Sequence, residues 1–287
     1  MVATAAVATG CGGADAVARS APTPVPAPPP QPLTWQQELR VGDALQHLVR
    51  QCMNRHGFEY WEDRVLTLRE SRPVGYVRDD VEWARTYGYG SRIDAKYERY
   101  RARNPNGAYR ESLPEARRTA FDTALDGGDQ ARILTTRLPA GGEIRKRLGG
   151  CTEEAERKLY GDPDEWFRTR KVAEGLPSLY GEELMKDRQL TAALGAWSRC
   201  MRGAGHPYAD PPAARDGALA LSFAAEREIA VADASCARSM SLRQATAARE
   251  RSFQDRLRPR YGSEVDAQRR LAQRAYDRAV RIVPERS

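Results

Sequence analysis

Long apolar runs are missing from this chain. Between Trp35 and Ser287 nothing approaches the roughly 18–20 consecutive apolar residues of a membrane-spanning helix, so no internal span is expected. Lysine is scarce as well: five occur, and arginine carries most of the net charge of +7. Acidic residues are interspersed with the arginines almost everywhere, which reads as a solvated surface rather than a nucleic-acid footprint. The three histidines, His47, His56 and His206, leave little material for acid–base or metal chemistry. There is no Gly-x-Ser-x-Gly elbow, no His-Glu-x-x-His and no Walker-type loop. Neither a Cys-x-x-Cys redox pair nor a Cys-x-x-Cys-His haem site occurs. Carboxylate pairs such as Asp79-Asp80 and Glu182-Glu183 carry no spacing that marks a glycosidase. No catalytic residue and no cofactor is assigned from the sequence, and a non-enzymatic role is expected.

What the chain does have is a nine-residue motif that occurs twice. Cys52-Met53-Asn54-Arg55-His56-Gly57-Phe58-Glu59-Tyr60 and Cys200-Met201-Arg202-Gly203-Ala204-Gly205-His206-Pro207-Tyr208 share Cys-Met, a glycine five residues on and a tyrosine eight on. Each has a later partner cysteine with a Glu-Ile pair upstream: Glu143-Ile144 before Cys151, and Glu228-Ile229 before Cys236. Four cysteines allow three pairings. The duplication favours Cys52–Cys151 and Cys200–Cys236, one bridge per repeat, in an oxidising compartment. Zinc is the competing reading, because His56 follows Cys52 by four residues and His206 follows Cys200 by six. Structural zinc sites draw on tight Cys-x2–4-Cys knuckles, which are absent, so no metal site is expected.

The fifth cysteine, Cys11, ends a small, mostly apolar stretch, and Ala8-Thr9-Gly10-Cys11 resembles the end of a bacterial lipoprotein signal. Residues 1–11 are read as a signal remnant, with the rest expected upstream and Cys11 as the lipidated residue. Diacylation would hold the chain stably at a membrane surface. Residues 12–33 follow as a disordered, proline-rich linker, with seven prolines between Ala21 and Pro32. At about 3.1 Å per residue in polyproline II, that stretch spans roughly 35–40 Å.

The rest reads as mainly α. Thr34 and Gln37 form a capping box ahead of an apolar stripe from Val41 to Cys52, and Gly57 suits a helix stop. Residues 34–160 are taken as a first helical repeat, with an insertion at 62–112. Within that insertion Tyr87-Gly88-Tyr89-Gly90 and Asn104-Pro105-Asn106-Gly107 read as turns. Ser112-Leu113-Pro114 and Asp162-Pro163 start further helices, and Gly127-Gly128 ends one. Residues 161–287 form the second repeat. There Ala213–Ala237 is one long Ala-rich pattern, and Ser263 caps a last helix carrying Arg269, Arg270, Arg274, Arg278 and Arg281 on one face. Strand signals are weak. Aromatics at Phe58, Tyr60, Trp61, Tyr87 and Tyr89 are the candidate binding surface, the insertion being the first place to look for specificity.

At Cys52-Met53-x3-Gly57, at Trp197-Ser198-x-Cys200-Met201-x3-Gly205, at Ala232-Asp233-x2-Cys236 and at Gly150-Cys151-x2-Glu154-Ala155, the chain resembles a family of uncharacterised secreted actinobacterial lipoproteins. The resemblance covers most of Trp35 to the late 250s and implies an extracytoplasmic address without an activity. The expected function is an envelope protein, lipid-anchored or secreted, with a binding or structural role. Its expected partners are the membrane, through the N-terminal lipid, and an anionic envelope polymer or lipid, through the arginine-rich helix. Two alternatives stand beside it: an extracytoplasmic hydrolase whose acidic residues converge only in three dimensions, and a basic cytoplasmic nucleic-acid-binding protein.

Overall fold

The computed structural model describes residues 1–2 and 30–286. Cys11 and most of the proline-rich stretch lie outside the described residues. The fold is mainly α-helical. It opens with α1 (Trp35–Arg55), which starts where the sequence places it. Thr34 Oγ1 accepts from the Gln37 amide at 3.3 Å, and Gln37 Oε1 accepts from the Thr34 amide at 2.8 Å, a complete capping box. Val41, Ala44, Leu48, Val49, Cys52 and Met53 recur at helical spacing and are all buried.

Residues 62–112 supply α2 (Val81–Tyr87), α3 (Ser91–Ala102) and α4 (Pro105–Ser112). Asn104-Pro105 is a helix start rather than a turn. The Asn104 carboxamide oxygen accepts from the amide of Asn106, and Pro105 sits in the first turn, where its missing N–H costs nothing. Next come α5 (Glu115–Asp126), a hairpin of β1 (Arg132–Arg137) and β2 (Glu143–Leu148), and α6 (Gly150–Tyr160). The hairpin sits within the mainly α fold that the sequence reading expects, and it pairs Arg132 with Leu148 through Arg137 with Glu143. Its cue was the β-branched residues Ile133, Thr135 and Thr136 ahead of Gly141-Gly142. The signal is faint because only Leu134, Thr136 and Leu148 of the twelve strand residues are buried.

Helices α7 (Pro163–Gly175), α8 (Pro177–Met185) and α9 (Arg188–Gly203) follow, then α10 (Pro211–Leu219) and α11 (Phe223–Ser239). The Ala-rich 213–237 pattern is therefore two helices. Ser222 breaks it by accepting from the Ala225 amide at 3.3 Å. The last element, α12 (Leu242–Ile282), is continuous through Pro259, and Ser263 does not cap it. Pro259 is exposed, so the carbonyl it leaves unpaired can take water. Arg258 clamps the next turns by pairing with Asp266 at 2.9 Å, while Ser263 Oγ donates to Glu264.

At 1.5 Å per residue α12 is about 60 Å long, and it serves two cores. Its C-terminal part, from Leu271 to Ala279, packs with α1, α5, α6 and Trp166 of α7. Its N-terminal part, with Leu242 and Phe253, packs with α8–α11 and with Ala84 and Tyr89 from the insertion. No described helix is long and apolar enough to cross a membrane.

Candidate functional site

Both cysteine motifs are helix stops. At the end of α1 the Phe58 amide donates to Met53 O at 3.0 Å and the Gly57 amide to Asn54 O at 3.0 Å. At the end of α9 the His206 amide donates to Met201 O at 2.9 Å and the Gly205 amide to Arg202 O at 3.1 Å. These are two Schellman motifs. Gly57 and Gly205 take left-handed φ of 75° and 86°, which explains the glycine five residues after each cysteine. Met53 and Met201 lie fully buried beneath the stop. Cys52 bridges Cys151 at a Cα separation of 5.5 Å, and Cys200 bridges Cys236 at 5.7 Å. The partner sides differ. Cys151 opens α6 and its Glu143-Ile144 lies on β2, whereas Cys236 ends α11 and Glu228-Ile229 lies on that helix.

Three residues before each cysteine of the second bridge, Trp197 and Asp233 meet. Trp197 Nε1 donates to Asp233 Oδ1 at 2.9 Å, and the Tyr89 hydroxyl donates to Oδ2 at 2.9 Å. The first bridge has Val49 and Leu148 at those offsets, both buried and apolar. Burial pushes the Asp233 carboxyl up to about 6, against the pull of its two donors and of Arg78 and Arg215. Burial likewise lowers Arg78 to about 10. Arg78 lies 3.9 Å over the Trp83 ring and donates to Gly88 O at 3.0 Å.

Two turns away, buried Glu226 of α11 accepts from the amides of Tyr89 and Ser91 at 2.7 and 3.2 Å and from the Ser91 hydroxyl. It caps α3 across the fold, a role the local residue Gly90 cannot fill. A side chain at Gly88 would bring its Cβ to 2.6 Å from Glu226 Oε1, at a left-handed φ of 63°, so glycine is required there. Tyr89 and Ser91 dock on α11 through Asp233 and Glu226, and Trp197 ties α9 to α11 through the same Asp233 carboxylate. Glu226→Ala would strand two backbone N–H groups and is expected to cost about 3 kcal/mol in urea unfolding. A loss below about 1 kcal/mol would show that α3 is capped by water instead.

The aromatic residues singled out in the sequence fall into separate places. Phe58 is buried edge-on to Phe121 at 5.4 Å, Tyr60 is half-buried, and exposed Trp61 stands edge-on to Tyr109 at 5.7 Å. Tyr87 packs on Trp83 at 5.0 Å, and Tyr89 is in the Asp233 cluster. His47 lies between Glu62 and Gln51, His56 is exposed, and His206 faces Glu228 at 4.0 Å. Cys52, His56 and Cys151 lie close enough together to share an ion, but the bridged sulfurs offer no thiolate. Of the five C-terminal arginines, Arg278 donates to Leu159 O at 2.8 Å and caps α6, and Arg269 donates to Pro30 O at 3.3 Å. Arg270, Arg274 and Arg281 point to solvent.

The feature best shaped to hold a ligand is one the sequence pattern did not point to. A cleft of about 540 Å³ opens between α1, α7 and α12. That volume lies within the usual range for small-molecule sites. Trp166 and Tyr160, stacked at 4.0 Å and almost parallel, form its floor with Val41 and Ala272. Its mouth carries both signs of charge: Glu38 and Glu174 beside Arg170 and Arg269. Arg170 is committed to Glu174 at 2.6 Å. Glu38 has no ion-pair partner among the described residues, and burial raises its carboxyl despite Arg170. Comparison with protein-family models, with curated proteins and with solved structures finds no match to this chain.

Proposed function

We propose that this chain is an extracytoplasmic envelope protein, tethered to a membrane through acylated Cys11, whose folded part is a binding module. The observation that carries the reading is the pair of disulfides, each joining two helices within a buried core. Such bridges persist in oxidising compartments and are rare where thiols are kept reduced. A binding role fits better than hydrolysis because the most perturbed carboxylate, Asp233, is sealed by Tyr89 and Trp197 rather than open to a cleft. The exposed arginines of α12 offer a second, electrostatic contact with anionic lipid or envelope polymer. Such a contact would weaken steeply with salt.

The test is intact-mass analysis of the protein made by its natural host from the full upstream reading frame. The expected species starts at Cys11, carries a diacylglyceryl group and lacks four hydrogens, two for each bridge. Four free thiols in the native protein would overturn the extracytoplasmic reading, and an unmodified Cys11 would overturn the anchor.

A further inference from the structure

We propose that the cleft between α1, α7 and α12 binds a single-chain zwitterionic amphiphile, with an apolar tail, a phosphate and a free ammonium, of the phosphoethanolamine type. Four observations converge on it. The first is Gly42, in the middle of α1 and on the cleft wall. An interior helical glycine costs about 1 kcal/mol relative to alanine. Packing does not ask for it here, since a Cβ at Gly42 would meet nothing within 4 Å, and its φ is not left-handed. A bare backbone facing an open, apolar-floored cleft suits close approach by a ligand chain.

The second observation is the mouth. Glu38 makes no direct ion pair among the described residues, feeling only Arg170, which is already paired with Glu174, and Arg269 meets no carboxylate among them, its guanidinium reaching the Pro30 carbonyl. One free group of each sign on a single cleft matches a head that carries both signs, an ammonium for Glu38 and a phosphate for Arg269. The third is the floor: Trp166, Tyr160, Val41 and Ala272 present an apolar surface to a tail. The fourth is position. Pro32 and Leu33, where the chain enters the folded part, themselves line the cleft. An anchor at Cys11 would therefore tie the cleft's own wall to the membrane that supplies such amphiphiles. The proposal deepens the envelope reading, but its test needs no anchor.

The experiment uses the full, unacylated chain and a short-chain lysophosphatidylethanolamine held below its critical micelle concentration, with binding followed by titration calorimetry. Wild-type protein is expected to bind it saturably at one site. Gly42→Leu puts a side chain into the cleft where the ligand chain would lie while improving helix propensity, so its unfolding midpoint should equal or exceed that of wild type while binding is strongly weakened. Glu38→Gln should weaken the ethanolamine amphiphile about 10-fold and leave a matched single-chain phosphate, without the ammonium, unchanged. Arg269→Gln should weaken both. Undiminished binding by a folded Gly42→Leu protein, or no saturable binding by wild type, would overturn the proposal. Equal losses for both probes in Glu38→Gln would overturn the zwitterionic assignment. None of these outcomes bears on whether Cys11 is acylated.

Discussion

Replacing Cys52 and Cys151 together by alanine is expected to lower the unfolding free energy by about 4.7 kcal/mol. The loop they close spans 99 residues. In the chain-entropy account, tying ends that far apart removes more freedom from the unfolded chain than any shorter crosslink. That loop holds the entire α2–α4 insertion, α5 and the hairpin, and the bridge ties the last turns of α1 to the first turn of α6. Removing Cys200 and Cys236 instead opens a loop of 36 residues and is expected to cost about 3.8 kcal/mol. Both sulfurs of the first bridge are buried, whereas Cys200 is half-exposed, so lost packing adds to the difference in the same direction. Equilibrium urea unfolding of the two double variants, each checked for an unchanged m-value, measures the order. A larger loss for the shorter loop would mean that native packing, not chain entropy, dominates at these sites. For a domain whose whole stability is of order 5–15 kcal/mol, either change should be visible as poor expression at 37 °C.

Both pairings were legible in the sequence from the repeated Cys-Met-x3-Gly motif and the Glu-Ile pair ahead of each partner cysteine. Thr34 and Asp162 cap helices through side-chain oxygens, and Gly57 and Gly205 stop them through left-handed backbone, all within five residues, and a local signal of that kind survives in sequence. The hairpin was less visible, since its strands bury so few side chains that no alternation stands out. Continuity of α12 through Pro259 was also hidden: the Arg258–Asp266 pair that steadies it spans eight residues, beyond any capping rule. Trp197 and Asp233 lay in plain view three residues before Cys200 and Cys236, but their meaning needed Tyr89, which is 144 positions away from Asp233. The cleft is harder still to read. Glu38, Gly42, Trp166 and Arg269 come from three helices and share no spacing.

The Asp233 cluster also sets an expected pH dependence. Burial holds the carboxyl at about 6 in the folded protein, above its ordinary value of 3.8. Between those values the folded state keeps a proton that the unfolded chain has released. Stability therefore falls as pH rises from about 4 to 6, by up to about 3 kcal/mol at 1.36 kcal/mol per pH unit. The groups facing Asp233 come from every side: Tyr89 from the α2–α3 turn, Trp197 from α9, Arg215 from α10, and Arg78. The Tyr89 hydroxyl can accept as well as donate, so a protonated Asp233 keeps a partner. Asp233→Asn preserves shape and polarity without the titration. The stability advantage of wild type over this variant, measured by urea unfolding at a series of pH values, is expected to shrink from pH 4 to pH 7. Comparing the two proteins at each pH cancels every other titrating group. Asp233→Ala leaves the Trp197 N–H and the Tyr89 hydroxyl without an acceptor and should cost about 3 kcal/mol even at pH 5. An advantage that grows with pH would reverse the electrostatic balance at this site. It would mean that two donors and two guanidinium groups stabilise the ion more than burial disfavours it. Residues 62–112 would then be held on α9 and α11 by a carboxylate whose ionisation strengthens the fold, rather than by one whose ionisation above about pH 6 weakens it.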